Sequence, residues 1–205
     1  MGRYSAVGDL VDPSITSSTS SNQQQGSQFN PADWPTDFPK NVIGLERDGV
    51  ICERRDTITH ESQFEWIPGS LEAIRLLRLK GHKLLILTQQ PGIYAGKMTE
   101  ETMNQLNDYT MKIFGENGIF SIDGVFYSTS NLKEDQNSKP ATGMFKQASA
   151  NTQIRFKNGW YVGDGMEDLK AAMKIGATPI LVRTGRGRET EEKLGKFAYR
   201  QLKKK

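Results

Sequence analysis

Residues 42 to 51 read VIGLERDGVI, and the order of their chemistry decides the architecture. An apolar run, Val42 to Leu45, stops at an acid, Glu46; Asp48 comes two residues later and Gly49 turns the chain. Two carboxylates at the tip of a buried strand, beside a glycine turn, suit a metal or a phosphate. An acid at a strand end is more often a helix cap or a solvated turn residue. The decision therefore rests on what later strands bring to the same edge.

They bring matching groups. SLEAIRLLRLKG (70–81) has helical spacing at Leu71, Ile74, Leu77 and Arg78, with Ser70 to cap it and Gly81 to stop it. HKLLILT (82–88) is a strand ending at Thr88, and the segment from 99 to 118 is a helix capped by Thr99. DGVFYS (123–128) is a third strand and GMFKQASAN (143–151) a short helix. GWYVGD (159–164) is a strand ending at Asp164, GMEDLKAAMKIGA (165–177) a helix closed by Gly176, and TPILVR (178–183) a last strand. Strands alternating with helices predict a doubly wound α/β fold, a parallel sheet with helices on both faces. Ligands bind such sheets at the carboxyl ends of the strands. Glu46, Asp48, Thr88, Lys139, Asp164 and Asp168 all fall there, an oxygen-rich box with one lysine that suits Mg²⁺ and a phosphate.

Composition bounds the rest. The chain has 205 residues, 36% of them hydrophobic, and a net charge of +3. One cysteine, Cys52, excludes an internal disulfide and a cysteine zinc cage. No apolar run approaches the roughly 20 residues that cross a bilayer, so a soluble, cytoplasmic protein with no membrane partner is expected. Residues 1–40 hold the polar low-complexity run SITSSTSSNQQQGSQ and then FNPADWPTDFPK; they read as a disordered Ser/Thr/Gln-rich arm, with docking to a protein assembly as the alternative. Residues 183–205 carry nine Lys or Arg against three Glu, a local +6 that leaves about −3 on the remainder. This basic end, 189–205, reads as a terminal helix or tail able to make weak nucleic-acid contacts.

The motifs GLERDGVI, FEWIPGSLEAI, LTQQPGIYAGKMT, SKPATGMF, YVGDGMEDLKAA and PILVRTGRG resemble the haloacid dehalogenase (HAD) superfamily of phosphatases. They are most similar to its heptose bisphosphate and histidinol phosphate phosphatase branch, over about residues 41–188. The resemblance implies an HAD-type Rossmann-like domain with a small flap between Ile51 and Pro68. It implies a Mg²⁺-dependent phosphomonoester hydrolase acting on a sugar phosphate or bisphosphate. Glu46 would be the nucleophile and Asp48 the acid and base. Thr88, Gln89 and Lys139 would bind the phosphoryl group. Glu46, Asp164 and the backbone carbonyl of Asp48 would hold the metal, with Asp168 supporting the metal or Lys139. By their own place after the last strand, Arg183 and Arg186 could reach a second substrate phosphate.

Two departures stand out. The family has aspartate where this chain has Glu46, and one methylene moves the carboxylate by about 1 Å, a displacement able to cost about a hundredfold in rate. The cysteine and histidine zinc loop of the heptose branch is replaced by YSTSNLKEDQNSK (127–139), so no zinc is expected. A catalytically inactive scaffold is the alternative reading. A 3′-phosphatase of nucleic-acid ends is the third, since KPATGMF and QQPGIYAGK also resemble the phosphatase domain of polynucleotide kinase-phosphatases. His60 and His82 lack partners at metal spacing, and Cys52 reads as packing rather than nucleophile.

Overall fold

A computed structural model describes residues 3–4, 41–130 and 132–202. Six strands, β1 (Arg3–Tyr4), β2 (Val42–Leu45), β3 (Lys83–Gln89), β4 (Gly124–Ser128), β5 (Trp160–Gly163) and β6 (Thr178–Leu181), form one sheet in the order β1-β4-β3-β2-β5-β6. The pairs among β2 to β6 are all parallel. The chain therefore winds from β2 outward to β4, then crosses back to β5 on the other side of β2. That reversal makes the carboxyl ends of β2 and β5 the switch point where ligands bind.

The expected elements are present. Helices α1 (Ser70–Leu79), α2 (Glu100–Glu116), α3 (Gly143–Thr152), α4 (Met166–Lys174) and α5 (Gly187–Leu202) connect or follow the strands. The Thr99 hydroxyl accepts from the Thr102 amide at 3.0 Å and caps α2 as expected. Ser70 does not cap α1: Gly69 holds the cap position, and the Ser70 hydroxyl donates to the Ile51 carbonyl at 2.8 Å. The serine thus ties the helix to the loop after β2. In the expected arm, Arg3–Tyr4 adds an antiparallel edge strand on β4; the rest of residues 1–40 lies outside the described residues. The basic end is helical to Leu202, and Thr190 in its first turn is buried. Among the described residues no helix is long and apolar enough to cross a membrane.

Strand β3 shows how the core is built. Its residues alternate between faces, so Leu85 and Leu87 join Phe145, Phe156, Tyr161 and Ala172 on one side. Leu84 and Ile86 join Ile43, Leu45, Ile74 and Phe114 on the other. Burial on both faces is why the strand reads as an unbroken apolar run. Gly44 in β2 leaves room for the Tyr161 ring, since a Cβ there would stand 2.6 Å from Tyr161 Cδ2. The segment after β2 folds over α2 as a flap. Cys52 bridges to Asp48 and Trp66, a 3-10 turn spans Glu61–Gln63, and Phe64 stacks on Trp66 at 5.1 Å.

Candidate active site

Glu46 continues β2 by one residue, its amide donating to the Val162 carbonyl at 2.9 Å. That bond fixes the side chain at the switch point, 3% exposed. Both carboxylate oxygens are engaged. Oε1 accepts from the Thr88 hydroxyl and from the Arg47 amide at 3.0 Å, and Oε2 accepts from the Lys139 ammonium. Lys139 also donates to Asp168 Oδ1 at 2.5 Å and to the Tyr161 hydroxyl at 2.9 Å, so its three protons are all placed. Tyr161 in turn donates to the Leu87 carbonyl at 2.7 Å, which anchors the lysine to the sheet.

The charges explain the titration of this group. Burial pushes the Glu46 carboxyl up against the pull of Lys139, with Asp168 and Asp48 adding repulsion. Burial also works against charge on Lys139 and on Asp168, yet their mutual attraction wins, holding the lysine well above and the aspartate below its ordinary range. Asp168 also shapes the start of α4, where its Oδ2 accepts from the amides of Asp164 (3.2 Å) and Gly165 (2.9 Å).

Asp48 belongs to a second group. Arg47 grips it in a fork, Nε to Oδ1 at 2.7 Å and Nη2 to Oδ2 at 3.1 Å. That arginine is 1% exposed and lies with its guanidinium over the Phe64 ring at 5.4 Å. Gln90 adds a bond to Asp48 Oδ2 at 2.8 Å and another to the Thr88 hydroxyl oxygen at 2.9 Å, linking the two groups. Burial raises the Asp48 carboxyl, but Arg47 and Gln90 outweigh it and the net shift is downward. The Cys52 thiol points at Asp48 from 3.5 Å, and burial with that neighbour pushes it up, so it is packing as expected.

Asp164 forms the third group and is fully buried. Arg54, from the flap, donates through Nε to Oδ2 at 2.8 Å and through Nη2 to Oδ1 at 2.9 Å. The same Nη2 reaches the Asp48 carbonyl at 3.1 Å. The Arg186 amide adds a bond to Oδ2 at 2.8 Å. Gly49 and Gly185, both at positive φ, press against this carboxylate; a Cβ on either would overlap Oδ2.

A cleft of about 570 Å³ opens over these groups, lined by Glu46, Arg54, Lys139, Asp168 and Arg186 among others. The fold thus brings Glu46, Asp48, Thr88, Lys139, Asp164 and Asp168 to one end of the sheet. Gln89 lines the cleft with its amide on the Ser130 carbonyl at 3.1 Å. Arg183 lies on the surface, paired with Glu191 at 2.7 Å, and does not line the cleft; Arg186 does. Sequence reasoning does not single out Arg47, Arg54, Gln90 or Tyr161. The basic pair in CERRD, just after the acids that follow β2, is the available signal for Arg54.

The HAD-hydrolase-like family model matches residues 136–202, which include Lys139, Asp164 and Asp168. A D-glycero-beta-D-manno-heptose-1,7-bisphosphate 7-phosphatase from Vibrio cholerae is 36% identical over 156 residues, 72% of this chain and 83% of that protein. This chain belongs to the HAD phosphatase family. The Pseudomonas putida enzyme of the same name is 34% identical, covering 74% of this chain and 87% of that one. A crystal structure of the D,D-heptose 1,7-bisphosphate phosphatase of B. bronchiseptica, complexed with magnesium and phosphate, is similar with a TM-score of 0.70 and 28% identity. It covers 75% of this HAD phosphatase and is itself covered to 86%.

Whether this chain's residues suit a divalent metal is a question of chemistry and of room. The donor types fit, since two carboxylates and a carbonyl are the hard oxygens Mg²⁺ takes. The room does not. Both Asp164 oxygens and the Asp48 carbonyl are spent on Arg54, and Glu46 is turned to Thr88 and Lys139. Among the described residues no three His, Cys, Asp or Glu side chains are grouped to hold an ion. Of the expected ligands, Asp164 and the Asp48 carbonyl are thus occupied by the Arg54 guanidinium, and Glu46 is held by Thr88 and Lys139.

Proposed function

We propose that the protein is a phosphomonoester hydrolase acting on a phosphorylated sugar, with the sugar bisphosphates named for its relatives as the first candidates. One observation carries the reading: the Thr88 hydroxyl and the Lys139 ammonium converge on an oxyanion at the switch point. The oxyanion there is the Glu46 carboxylate, but the donors that hold a carboxylate oxygen also hold a phosphoryl oxygen. Substrate binding would exchange one for the other. Freed of Thr88 and Lys139, a Glu46 oxygen would attack phosphorus, forming a P–O bond as the sugar oxygen leaves.

Asp48 would give that leaving oxygen its proton, then take one from the water that cleaves the glutamyl phosphate. Arg47 keeps Asp48 ionised in the free protein, and the phosphoryl negative charge arriving beside it favours its protonated form. Arg186, which lines the cleft, would meet a second phosphate.

The test is phosphate release from sugar phosphates, sugar bisphosphates and a 3′-phosphorylated oligonucleotide, with and without Mg²⁺. Wild type, Glu46→Asp and Asp48→Asn are compared. Release by wild type that Asp48→Asn removes supports the proposal. Release only after Glu46→Asp means that the pocket binds substrate but the longer acid blocks turnover. No release from either rejects it.

A further inference from the structure

Asp164 poses a problem that the phosphatase reading leaves open. A carboxylate with no solvent exposure needs a positive partner, because an unpaired buried charge is strongly destabilising. Gly49 and Gly185 close in on it so tightly that no side chain fits beside it from those positions. The charge comes chiefly from Arg54, which approaches from the flap with its side chain 31% exposed; the Arg186 guanidinium stands further off, its Nη2 3.7 Å from Oδ1. Its planar fork matches both carboxylate oxygens and leaves one proton for the Asp48 carbonyl. Those three oxygens, one carboxylate pair and one backbone carbonyl, are the ones an oxygen-seeking cation would need.

We propose that Arg54 is the resident cation of this site and excludes a divalent ion from it. The inference deepens the phosphatase reading by naming what supplies positive charge beside the phosphoryl place, but its test involves no substrate and no turnover. A surface ion pair of ordinary kind would leave metal binding untouched. Arg54 differs because any ion bound to Asp164 and the Asp48 carbonyl must first break three charge-assisted contacts made by one side chain.

The experiment is a Mn²⁺ titration of the full chain, with free ion followed by its electron paramagnetic resonance signal. Wild type, Arg54→Ala and Arg54→Ala with Asp164→Asn are compared. Arg54→Ala should bind one Mn²⁺ at least about tenfold more tightly than wild type, and the added Asp164→Asn should remove the gain. In parallel, millimolar Mg²⁺ should raise the Tm of Arg54→Ala and leave that of wild type unchanged. If Arg54→Ala does not fold, Arg54→Lys keeps the charge while losing the fork, and a severalfold gain over wild type is expected. Wild type that binds as tightly as the variants, through Asp164, would overturn the proposal. So would variants that gain no site. Failure of the phosphatase reading shows separately, as absent phosphate release.

Discussion

Lys139 is the residue on which most of the buried charge depends. It is 5% exposed and meets two carboxylates, Glu46 and Asp168, and the Tyr161 hydroxyl. Lys139→Met removes the cation and leaves both acids buried without it, which should cost about 3–5 kcal/mol of stability. Adding Glu46→Gln neutralises one of those acids, so the double variant should recover part of the loss, with a coupling of about 0.5–3 kcal/mol. Urea unfolding of the four members of the cycle measures this; strict additivity would mean the lysine does not bind Glu46 in solution. Thr88 and Asp164 are legible in the sequence because each stands where an apolar strand gives way to polar loop; Lys139 in SKPATGMF and Asp168 in VGDGMED are legible only as parts of the ordered set of motifs around them. Arg54 is not, because its partner Asp164 lies 110 residues further along and only the fold makes them neighbours. Arg47 between two acids has the look of a solvated charge; its burial depends on Phe64 and Met103, which come from the flap and α2.

At the scale of elements, the packing of β2 against β5 sets where the site sits. Gly44 is the point of contact, with Tyr161 Cδ2 2.6 Å, Leu87 Cδ1 3.1 Å and Phe156 Cε1 3.2 Å from where a Cβ would be. The tyrosine cannot swing away freely, because its hydroxyl is held by Leu87 and Lys139. Gly44→Ala should therefore destabilise the fold by about 1–3 kcal/mol through overpacking, and move the lysine along with the ring. A stability unchanged from wild type in urea unfolding would show that the ring has room to shift. Thr99→Ala, by contrast, removes only the cap of α2 and should cost about 1 kcal/mol. The order of elements is readable from periodicity and from glycines such as Gly81 and Gly176, both at positive φ after their helices. The cap of α1 is not, because Ser70 is a usual capping residue and looks like one. Here its hydroxyl goes to the Ile51 carbonyl instead of an amide of its own helix, and that bond closes the loop after β2.

For the whole molecule, the buried charges should write themselves into the dependence of stability on pH. Asp48 and Asp168 are held below their ordinary values, chiefly by Arg47 and Lys139 acting against burial. The stability they contribute is present above the ordinary value of 3.8 and is lost as pH falls through their folded values. Glu46 has the opposite sign. Burial raises it, so its contribution is complete below the ordinary 4.5 and is lost as pH rises through its folded value. Lys139, raised, contributes below its ordinary 10.5 and loses that contribution only as pH rises past its folded value, far into the alkaline range. The stability curve should then fall on the acid side through the aspartates and decline toward neutrality through the glutamate. Glu46→Gln should flatten the decline toward neutrality while sparing the acid fall. Asp168→Asn should make the acid fall shallower, by up to about 1.4 kcal/mol per pH unit where that proton is taken up. Urea unfolding of the three proteins between about pH 3 and 8 covers both limbs. An acid limb that Asp168→Asn leaves as steep as in wild type would mean that the Lys139–Asp168 pair does not hold the native state together.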